Sequence, residues 1–131
     1  MRPNPWQPPI EQSSDELMIT SRIKRAKLFI WLRERRHELF DAAFQVELAA
    51  MYTDSTVGHP VVPPAQLALA TLLQAYTGAS DDEVIEAMVM DKRWQLVLDC
   101  LECAHAPFSK ATLVAFRARL IAAAMDWSCP G

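Results

Sequence analysis

Two cysteines and a histidine, in the pattern Cys100-x-x-Cys103-x-His105, have the spacing of half a zinc site. A structural zinc ion takes four ligands, so such a site normally brings a second pair. Three further Cys or His residues, none with a neighbouring partner, occur elsewhere: His37, His59 and Cys129. The spacing differs from that of haem attachment, and no predicted strand precedes the pair as in redox motifs. We therefore expect buried or incidental thiols, with no metal and no other cofactor.

Three acids are adjacent at Asp81, Asp82 and Glu83, and a triad of carboxylates is one way to hold metal ions for catalysis. Consecutive helix residues project about 100° apart, so these side chains cannot converge on a pair of metal ions. Ser80-x-x-Glu83 has capping-box spacing, and acids favour the positive end of a helix dipole. The pattern therefore predicts a helix start. Because no nucleophile with a base and no phosphate loop is apparent, we predict that this chain is not an enzyme.

Seven of the thirteen lysines and arginines lie in one short segment, while acids dominate the rest of the chain. These seven are Arg22, Lys24, Arg25, Lys27, Arg33, Arg35 and Arg36. A basic helix face can lie along a nucleic-acid backbone, and Arg33 and Arg36 are our candidate phosphate contacts from this segment. The alternative is a solvated face, because Glu34 and Glu38 can pair locally at helical spacing.

The formal net charge of -3 excludes a wholly basic nucleic-acid binder but allows a basic face on an acidic protein. Lys92 and Arg93, which stand beside Trp94, are further candidates for contact with phosphate.

The last predicted helix holds the candidates for reading a DNA sequence. A helix-turn-helix places its second helix in the major groove, with its early residues near the bases. Ser109, Lys110 and Thr112 fall in the first turn, and Arg117 and Arg119 can contact phosphate or guanine. The alternative is a core helix with solvated basic flanks, since an apolar face runs along the same segment.

Composition favours helices over a sandwich or barrel. The 131 residues fit one domain, 51% of them are hydrophobic, and only three are glycine. The prolines crowd the first nine residues and a central loop, which leaves long stretches free for helices. We expect an all-α, single-domain protein of about five helices with a helix-turn-helix-like C-terminal part. The predicted boundaries are an extended arm at 1–12, a helical domain at 13–126 and a tail at 127–131.

Local signals set the expected helix boundaries. A capping box begins a helix at Ser13, and Ser109 is placed to cap the last one. Gly78 suits the left-handed end of a central helix. Apolar spacing predicts one long helix, or two with a bend, from about residue 22 to residue 52. The helix that begins at the second capping box either bends near Asp91 or runs through it.

From Tyr52 onward, an ordered series of motifs resembles a known protein family. The series is Tyr52, then Gly58-x-Pro60, then PPAQLALATLLQAYTGASDDEVIEAMVMDKRWQLVLDCL, and then FSKATLVAFRARL. Together these motifs resemble the amino-terminal domain of bacterial insertion-sequence transposases of the DDE type. The resemblance covers nearly the whole chain.

The resemblance implies a helical domain that precedes an RNase H-like catalytic domain in full-length members. That catalytic domain cuts and joins DNA with three carboxylates and divalent metal, while the amino-terminal domain helps to recognise the ends of the element. After Met125-Asp126 this sequence reads WSCPG and stops. We therefore expect the catalytic domain to be missing from this chain.

The expected function is that of a DNA-binding domain or truncated fragment of a transposase, which recognises the double-stranded DNA of transposon ends without catalysis. The alternative is a helical dimerisation or protein-interaction module, which would associate with a second copy or inhibit the full-length transposase.

We expect a cytoplasmic, nucleoid-associated protein with no membrane contact. The longest apolar stretch is shorter than the roughly 20 residues of a membrane span, and no signal peptide is visible.

Overall fold

A computed structural model describes residues 5–52 and 62–123, and all regular structure within these ranges is helical. Seven helices follow one another: α1 (Ser14–Arg22), α2 (Leu28–Leu39), α3 (Ala42–Ala50), α4 (Pro64–Thr77), α5 (Asp81–Met90), α6 (Lys92–Leu98) and α7 (Lys110–Ala122). The all-α prediction is confirmed, with seven helices in the described part where about five were expected.

Two breaks account for the larger number of helices. Between α2 and α3, the Asp41 side chain accepts a hydrogen bond from the Phe44 N–H at 2.9 Å and begins a new helix. Between α5 and α6, the Asp91 N–H still bonds to the Ala87 carbonyl at 2.8 Å. The Asp91 side chain then accepts the Arg93 N–H at 2.9 Å. A single residue therefore ends one helix and begins the next.

The core forms around α4 and α6. Residues 64–71 of α4 and 94–98 of α6 are buried without interruption. Helices α2 and α5 pack against α6, whereas α3 and α7 pack against α4. The two polar side chains buried in α4 are satisfied, since Gln66 donates to the Leu98 carbonyl at 2.9 Å and Thr71 to the Ala68 carbonyl at 2.7 Å.

The predicted helix signals are confirmed where the structure describes them. Ser13 and Ser80 each form a complete capping box, and the Ser109 side chain accepts a backbone N–H at the start of α7. Gly78 ends α4 with φ of +74°, a conformation that glycine adopts without steric cost. The helix-turn-helix interpretation of the C-terminal part stays a prediction. Residues 99–109 join α6 to α7, which is longer than the usual turn of about 3–4 residues.

Residues 5–12, here called the N-terminal arm, contain no helix and lie against the helical body. The Trp6 N–H donates to the Gln45 side-chain oxygen at 2.6 Å, and the Gln45 side-chain nitrogen donates back to the Trp6 carbonyl at 2.8 Å. Arginines of α2 bond to the carbonyls of Pro9, Ile10 and Glu11. This part of the predicted arm is therefore held by specific hydrogen bonds. The predicted tail at 127–131 lies outside the described residues.

Candidate nucleic-acid interface

An open groove with a cationic rim lies where the end of α1 meets the start of α6. Its volume is about 350 Å³. The lining consists of three apolar and five cationic residues, here called the basic groove: Met18, Ile19, Ile23, Arg22, Lys24, Arg25, Lys92 and Arg93. No acidic side chain from the described ranges lines it. The groove thus joins part of the basic segment after α1 to Lys92 and Arg93, which are distant in sequence.

Three of the groove's cations have no carboxylate partner within residues 5–52 and 62–123. Arg22, Lys24 and Arg25 are exposed, and no ion pair among the described residues involves them. Lys92 is also largely exposed, with its ammonium nitrogen 3.8 Å from Glu102. Surface pairs at this distance contribute little to stability and are easily exchanged. These four side chains can therefore meet an anion without losing a strong internal contact.

The end of α1 sets the position of the neighbouring cations. The buried side chain of Ile23 anchors the chain directly after α1, with its N–H bonded to the Thr20 carbonyl at 3.2 Å. Ala26 then takes a left-handed backbone with φ of +51°, which turns the chain into α2. The connection between two packed helices holds Lys24 and Arg25 on the surface between these points.

Arg93 has a fixed orientation at the other wall of the groove. Its guanidinium bonds to both oxygens of Asp91, at 3.1 and 2.8 Å, and lies 4.9 Å from the ring centroid of Phe29. Burial alone would raise the pKa of Asp91, but hydrogen bonds from Arg93 and its backbone outweigh burial and lower the pKa. The pair remains ionised at neutral pH, and Asp91 offsets part of the positive charge at this wall.

Arg33 does not lie on the surface, which corrects our expectation of a phosphate contact. Its side chain is 0% exposed and bonds to both carboxylate oxygens of Glu16, at 2.8 and 3.2 Å. The same guanidinium donates to the carbonyls of Ile10 and Glu11, at 3.0 and 3.1 Å. Burial alone would raise the pKa of Glu16, but hydrogen bonds from Arg33 and from the Ser13 backbone N–H outweigh burial and lower the pKa. Arg33 is therefore a structural residue.

Arg36 is likewise buried, at 1% exposure, which corrects our expectation that it contacts phosphate. It donates to the Leu96 and Val97 carbonyls at 3.1 and 2.9 Å, and to the Pro9 carbonyl at 3.0 Å. Burial, followed by the charge of nearby Arg33, lowers its pKa to about 10, so it remains protonated at neutral pH. Arg36 fastens α2 to the end of α6 and to the N-terminal arm.

Two basic residues of α7 face the acidic start of α5. Arg117 bonds to both oxygens of Asp81, at 2.7 and 2.9 Å, and to the Gln74 side chain at 3.1 Å. These bonds from Arg117, followed by one from Gln74, lower the pKa of Asp81 to about 2. Lys110 lies 3.2 Å from Asp82 in a more exposed pair. In this conformation α7 presents these two cations to α5.

The remaining candidates on α7 also have local contacts. The Arg119 guanidinium lies 4.3 Å from the ring centroid of Tyr52. The Ser109 hydroxyl oxygen accepts the Thr112 N–H at 3.2 Å, as an N-cap does. These contacts give the Arg119 and Ser109 side chains structural roles. The part that α7 plays in reading DNA stays a prediction.

The Cys100-x-x-Cys103-x-His105 motif follows α6 in the loop that leads to α7. Both cysteines are free thiols and half-buried, while His105 is exposed. Within the ranges described, no three His, Cys, Asp or Glu side chains are grouped so as to hold a metal ion. Burial, and then the neighbouring Cys103, raises the pKa of Cys100 to about 12. The Cys100 thiol therefore stays protonated at neutral pH.

The basic segment of the sequence divides into two parts with different roles. Its first cations, Arg22, Lys24 and Arg25, line the groove, whereas Arg33 and Arg36 enter the core. Arg33 and Arg36 are the two that we expected to contact phosphate, whereas Arg22, Lys24 and Arg25 were not individual candidates. Residues 22–25 carry three cations and no acid, and this local excess of positive charge could have identified them as a surface for anions.

No helix in the described portion is long and apolar enough to cross a membrane. No curated protein and no solved structure gives a significant match to this chain. A family model described as a transposase domain, DUF772, matches residues 22–119, which includes both walls of the basic groove from Arg22 onward and all of α2 to α6. The match covers most of the chain, and the protein therefore belongs to this family of transposase domains.

Proposed function

We propose that this transposase domain binds double-stranded DNA through the sugar-phosphate backbone, with the basic groove as its main contact surface. The observation that carries the proposal is the convergence of five cations from two separate segments around one open groove. Each phosphate that a Lys or Arg neutralises releases counterions from the duplex, which favours binding at low salt.

The distribution of charge supports a single binding face. The protein has a net charge of -3, so most of its surface repels a polyanion. A local positive region on an acidic body orients the approaching duplex, because the polyanion is attracted to clustered cations. The four readily available cations of the groove are Arg22, Lys24, Arg25 and Lys92.

Membership in a family of transposase domains supports the DNA of transposon ends as the target. The role proposed for this domain is recognition of that DNA without catalysis. Phosphate contacts position a protein on a duplex but do not read its sequence. In our proposal, sequence reading belongs to α7, through Ser109, Lys110, Thr112, Arg117 and Arg119, once their internal partners are exchanged for DNA.

A salt titration of DNA binding tests the groove. Fluorescence anisotropy would measure affinity for a labelled duplex carrying a terminal repeat of the element, and for a scrambled duplex, over a range of salt concentrations. The test variant combines Arg22→Ala, Arg25→Ala and Lys92→Ala. We expect its log–log salt slope to fall by about 2 to 3, since each lost phosphate contact removes about 0.9 from the slope.

The matched control is Arg35→Ala, which removes an exposed cation that does not line the groove. Its salt slope should match that of the unmodified protein. Equal slopes for the triple variant and the unmodified protein would exclude the groove as the contact surface. Tighter binding to the repeat than to the scrambled duplex, lost in Arg119→Ala, would support α7 as the reading helix.

Self-association is the second candidate function, and it is favoured by large apolar side chains left on the surface. Val46 of α3 is 65% exposed, Met90 of α5 is 74% exposed and Ile121 of α7 is 58% exposed. Sedimentation over a range of protein concentrations distinguishes the two functions. A dimer that shows no affinity for either duplex would establish the interaction module in place of the DNA-binding domain.

A further inference from the structure

Cys100 and Cys103 are held together by the backbone of the loop after α6. The Cys103 N–H bonds to the Cys100 carbonyl at 3.2 Å, which closes a tight turn across the two intervening residues. Such a turn brings its first and last Cα atoms within about 7 Å. Disulfide-bonded cysteines have Cα separations of about 4.4–6.8 Å, so the turn places the two residues in a suitable range.

Two residues with left-handed backbones fix this arrangement. Asp99 has φ of +57° and Glu102 has φ of +60°, which is uncommon for residues other than glycine. The first reverses the chain at the end of α6, where the Cys100 N–H bonds back to the Gln95 carbonyl at 3.0 Å. The second lies inside the turn between the cysteines. The loop is therefore built in the conformation that brings the thiols together.

Both thiols point at the same acceptor. The Cys103 sulfur lies 3.3 Å and the Cys100 sulfur 3.8 Å from the carbonyl oxygen of Met88 in α5. Oxidation of the pair would remove both S–H donors. The Met88 carbonyl would keep a partner, because the Gln95 side-chain nitrogen also donates to it at 3.1 Å. The loss of the thiol protons therefore leaves no buried carbonyl without a hydrogen bond.

We propose that Cys100 and Cys103 are a redox site that forms a reversible intrachain disulfide by exchange with small-molecule disulfides of the glutathione class. The thiolate of Cys103 attacks one sulfur of the oxidant and releases one thiolate of glutathione. The thiolate of Cys100 then attacks the Cys103 sulfur, breaks the mixed disulfide and releases the second thiolate. Two electrons pass from the protein pair to the oxidant, and the two cysteine protons pass to solvent.

The order of attack follows from the surroundings of Cys100. Burial and the neighbouring Cys103 both raise its pKa, so Cys100 is the poorer first nucleophile. Once Cys103 carries a mixed disulfide, its own thiol can no longer oppose ionisation of Cys100. That change favours the second step over accumulation of the mixed disulfide.

Alkylation and intact-mass measurement in glutathione buffers test this proposal. Cys129→Ser would remove the third thiol, which lies outside the described residues. At an oxidising glutathione ratio, we expect this protein to lose two hydrogens in mass and both alkylation sites, and to recover them with dithiothreitol. A peptide of residues 98–105 serves as the control without the folded turn. The protein should be half-oxidised at an oxidant level about tenfold lower than the peptide, because its thiols are already positioned.

A second variant separates the roles of the two thiols. With Cys100→Ser added, the reaction should stop at a glutathione adduct on Cys103. The proposal is overturned if the Cys129→Ser protein keeps two alkylatable thiols under conditions that oxidise the peptide. A glutathione adduct that persists while both cysteines are present would equally overturn it.

Discussion

Arg36 is a residue whose position reverses the role that its chemistry suggests. A guanidinium carries five donors, and this one donates to three carbonyls, one in the N-terminal arm and two at the end of α6, while its Nε has no hydrogen-bond partner among the described residues. Charge-assisted hydrogen bonds in a buried setting are strong, and an unpaired partner left behind is costly. A positively charged side chain thus stabilises the interior of the domain.

Substitution of Arg36 tests this role at the residue scale. Arg36→Met keeps an apolar stem but leaves the carbonyls of Pro9, Leu96 and Val97 without their donor, so we expect a loss of about 2–4 kcal/mol in the free energy of unfolding. Chemical denaturation measures it. Arg35→Met, on the exposed side of the same helix, should change the free energy by no more than about 0.5 kcal/mol. Equal effects of the two substitutions would contradict the assignment.

Asp81 makes the free energy of unfolding depend on pH in the acidic range. Its folded pKa of about 2 lies below the ordinary value of 3.8, so the ion pair with Arg117 stabilises the fold fully above the unfolded pKa. That contribution is lost as the pH falls through about 2. The pair is partly exposed, which reduces its contribution to about 1 kcal/mol.

We expect Asp81→Asn to be less stable than the unmodified protein near about pH 5, and the difference to shrink toward about pH 2. Urea unfolding at a series of pH values provides the measurement. Asp82→Asn, which affects the more exposed pair with Lys110, should show a smaller difference throughout. A deficit in Asp81→Asn that is independent of pH would exclude the ion pair as its cause.

At the scale of elements, one aspartate determines how α5 and α6 meet. Asp91 closes the first helix with its backbone and begins the second with its side chain. The same carboxylate orients Arg93 at the wall of the basic groove. The helix boundary and the electrostatics of the proposed interface are therefore coupled through one side chain.

Two substitutions at this position separate the effects. Asp91→Asn keeps a capping oxygen, so its stability should stay within about 0.5 kcal/mol of the unmodified protein. Asp91→Ala loses the cap and should be about 1 kcal/mol less stable by thermal unfolding. Both remove a negative charge beside the groove and should bind duplex DNA more tightly at low salt. Weaker binding by Asp91→Asn would show that the orientation of Arg93 matters more than the net charge.

At the scale of the whole molecule, the N-terminal arm belongs to the fold, although it contains no helix. Its carbonyls accept hydrogen bonds from two buried arginines, Arg33 and Arg36, each of which would lose part of its acceptors without the arm. The arm also carries Trp6, which packs against the core and lies 5.6 Å from the Arg36 guanidinium. The arm and the helical body should therefore unfold together.

Deletion of residues 1–11 tests this cooperation. Ser13 and its capping box are retained, so any loss concerns the arm itself. We expect the free energy of unfolding to fall by about 3 kcal/mol or more, because buried charged donors lose their acceptors. The deletion and Arg36→Met act on the same contacts, so their effects should be less than additive. Full additivity, measured by urea unfolding of all combinations, would contradict the shared network.

Much of this architecture could be predicted from local sequence because local interactions determine it. The capping boxes at Ser13 and Ser80 and the left-handed Gly78 depend on a few neighbouring residues, and each was found. The break at Asp91 was foreseen only as one of two options, since the choice depends on packing of both helices. Tyr76 lies at helical spacing from the buried Leu69 and Leu73, yet it is 56% exposed because α4 leaves the core before its last turn.

The proposed interface was harder to predict, because burial of a charge depends on distant partners. Arg33 and Arg36 lie at helical spacing from Phe29, Leu32 and Phe40, all of which are buried. That spacing places both arginines on the apolar stripe of α2 and indicates burial. Their positive charge, in contrast, favours exposure, and our prediction followed the charge. Their acceptors come from the arm, from Glu16 of α1 and from the end of α6, and no local pattern relates these segments to α2.

The acceptors of Arg36 also bear on how the domain is made in a cell. A ribosome adds residues from the N-terminus at about 5–20 per second. Val97 lies 61 positions beyond Arg36, so the arginine is synthesised roughly 3–12 seconds before this acceptor exists. During that interval the Pro9 carbonyl has already been synthesised, but the two α6 carbonyls to which Arg36 donates have not. The guanidinium of Arg36 therefore stays hydrated, and the core around it cannot form, until α6 has been synthesised.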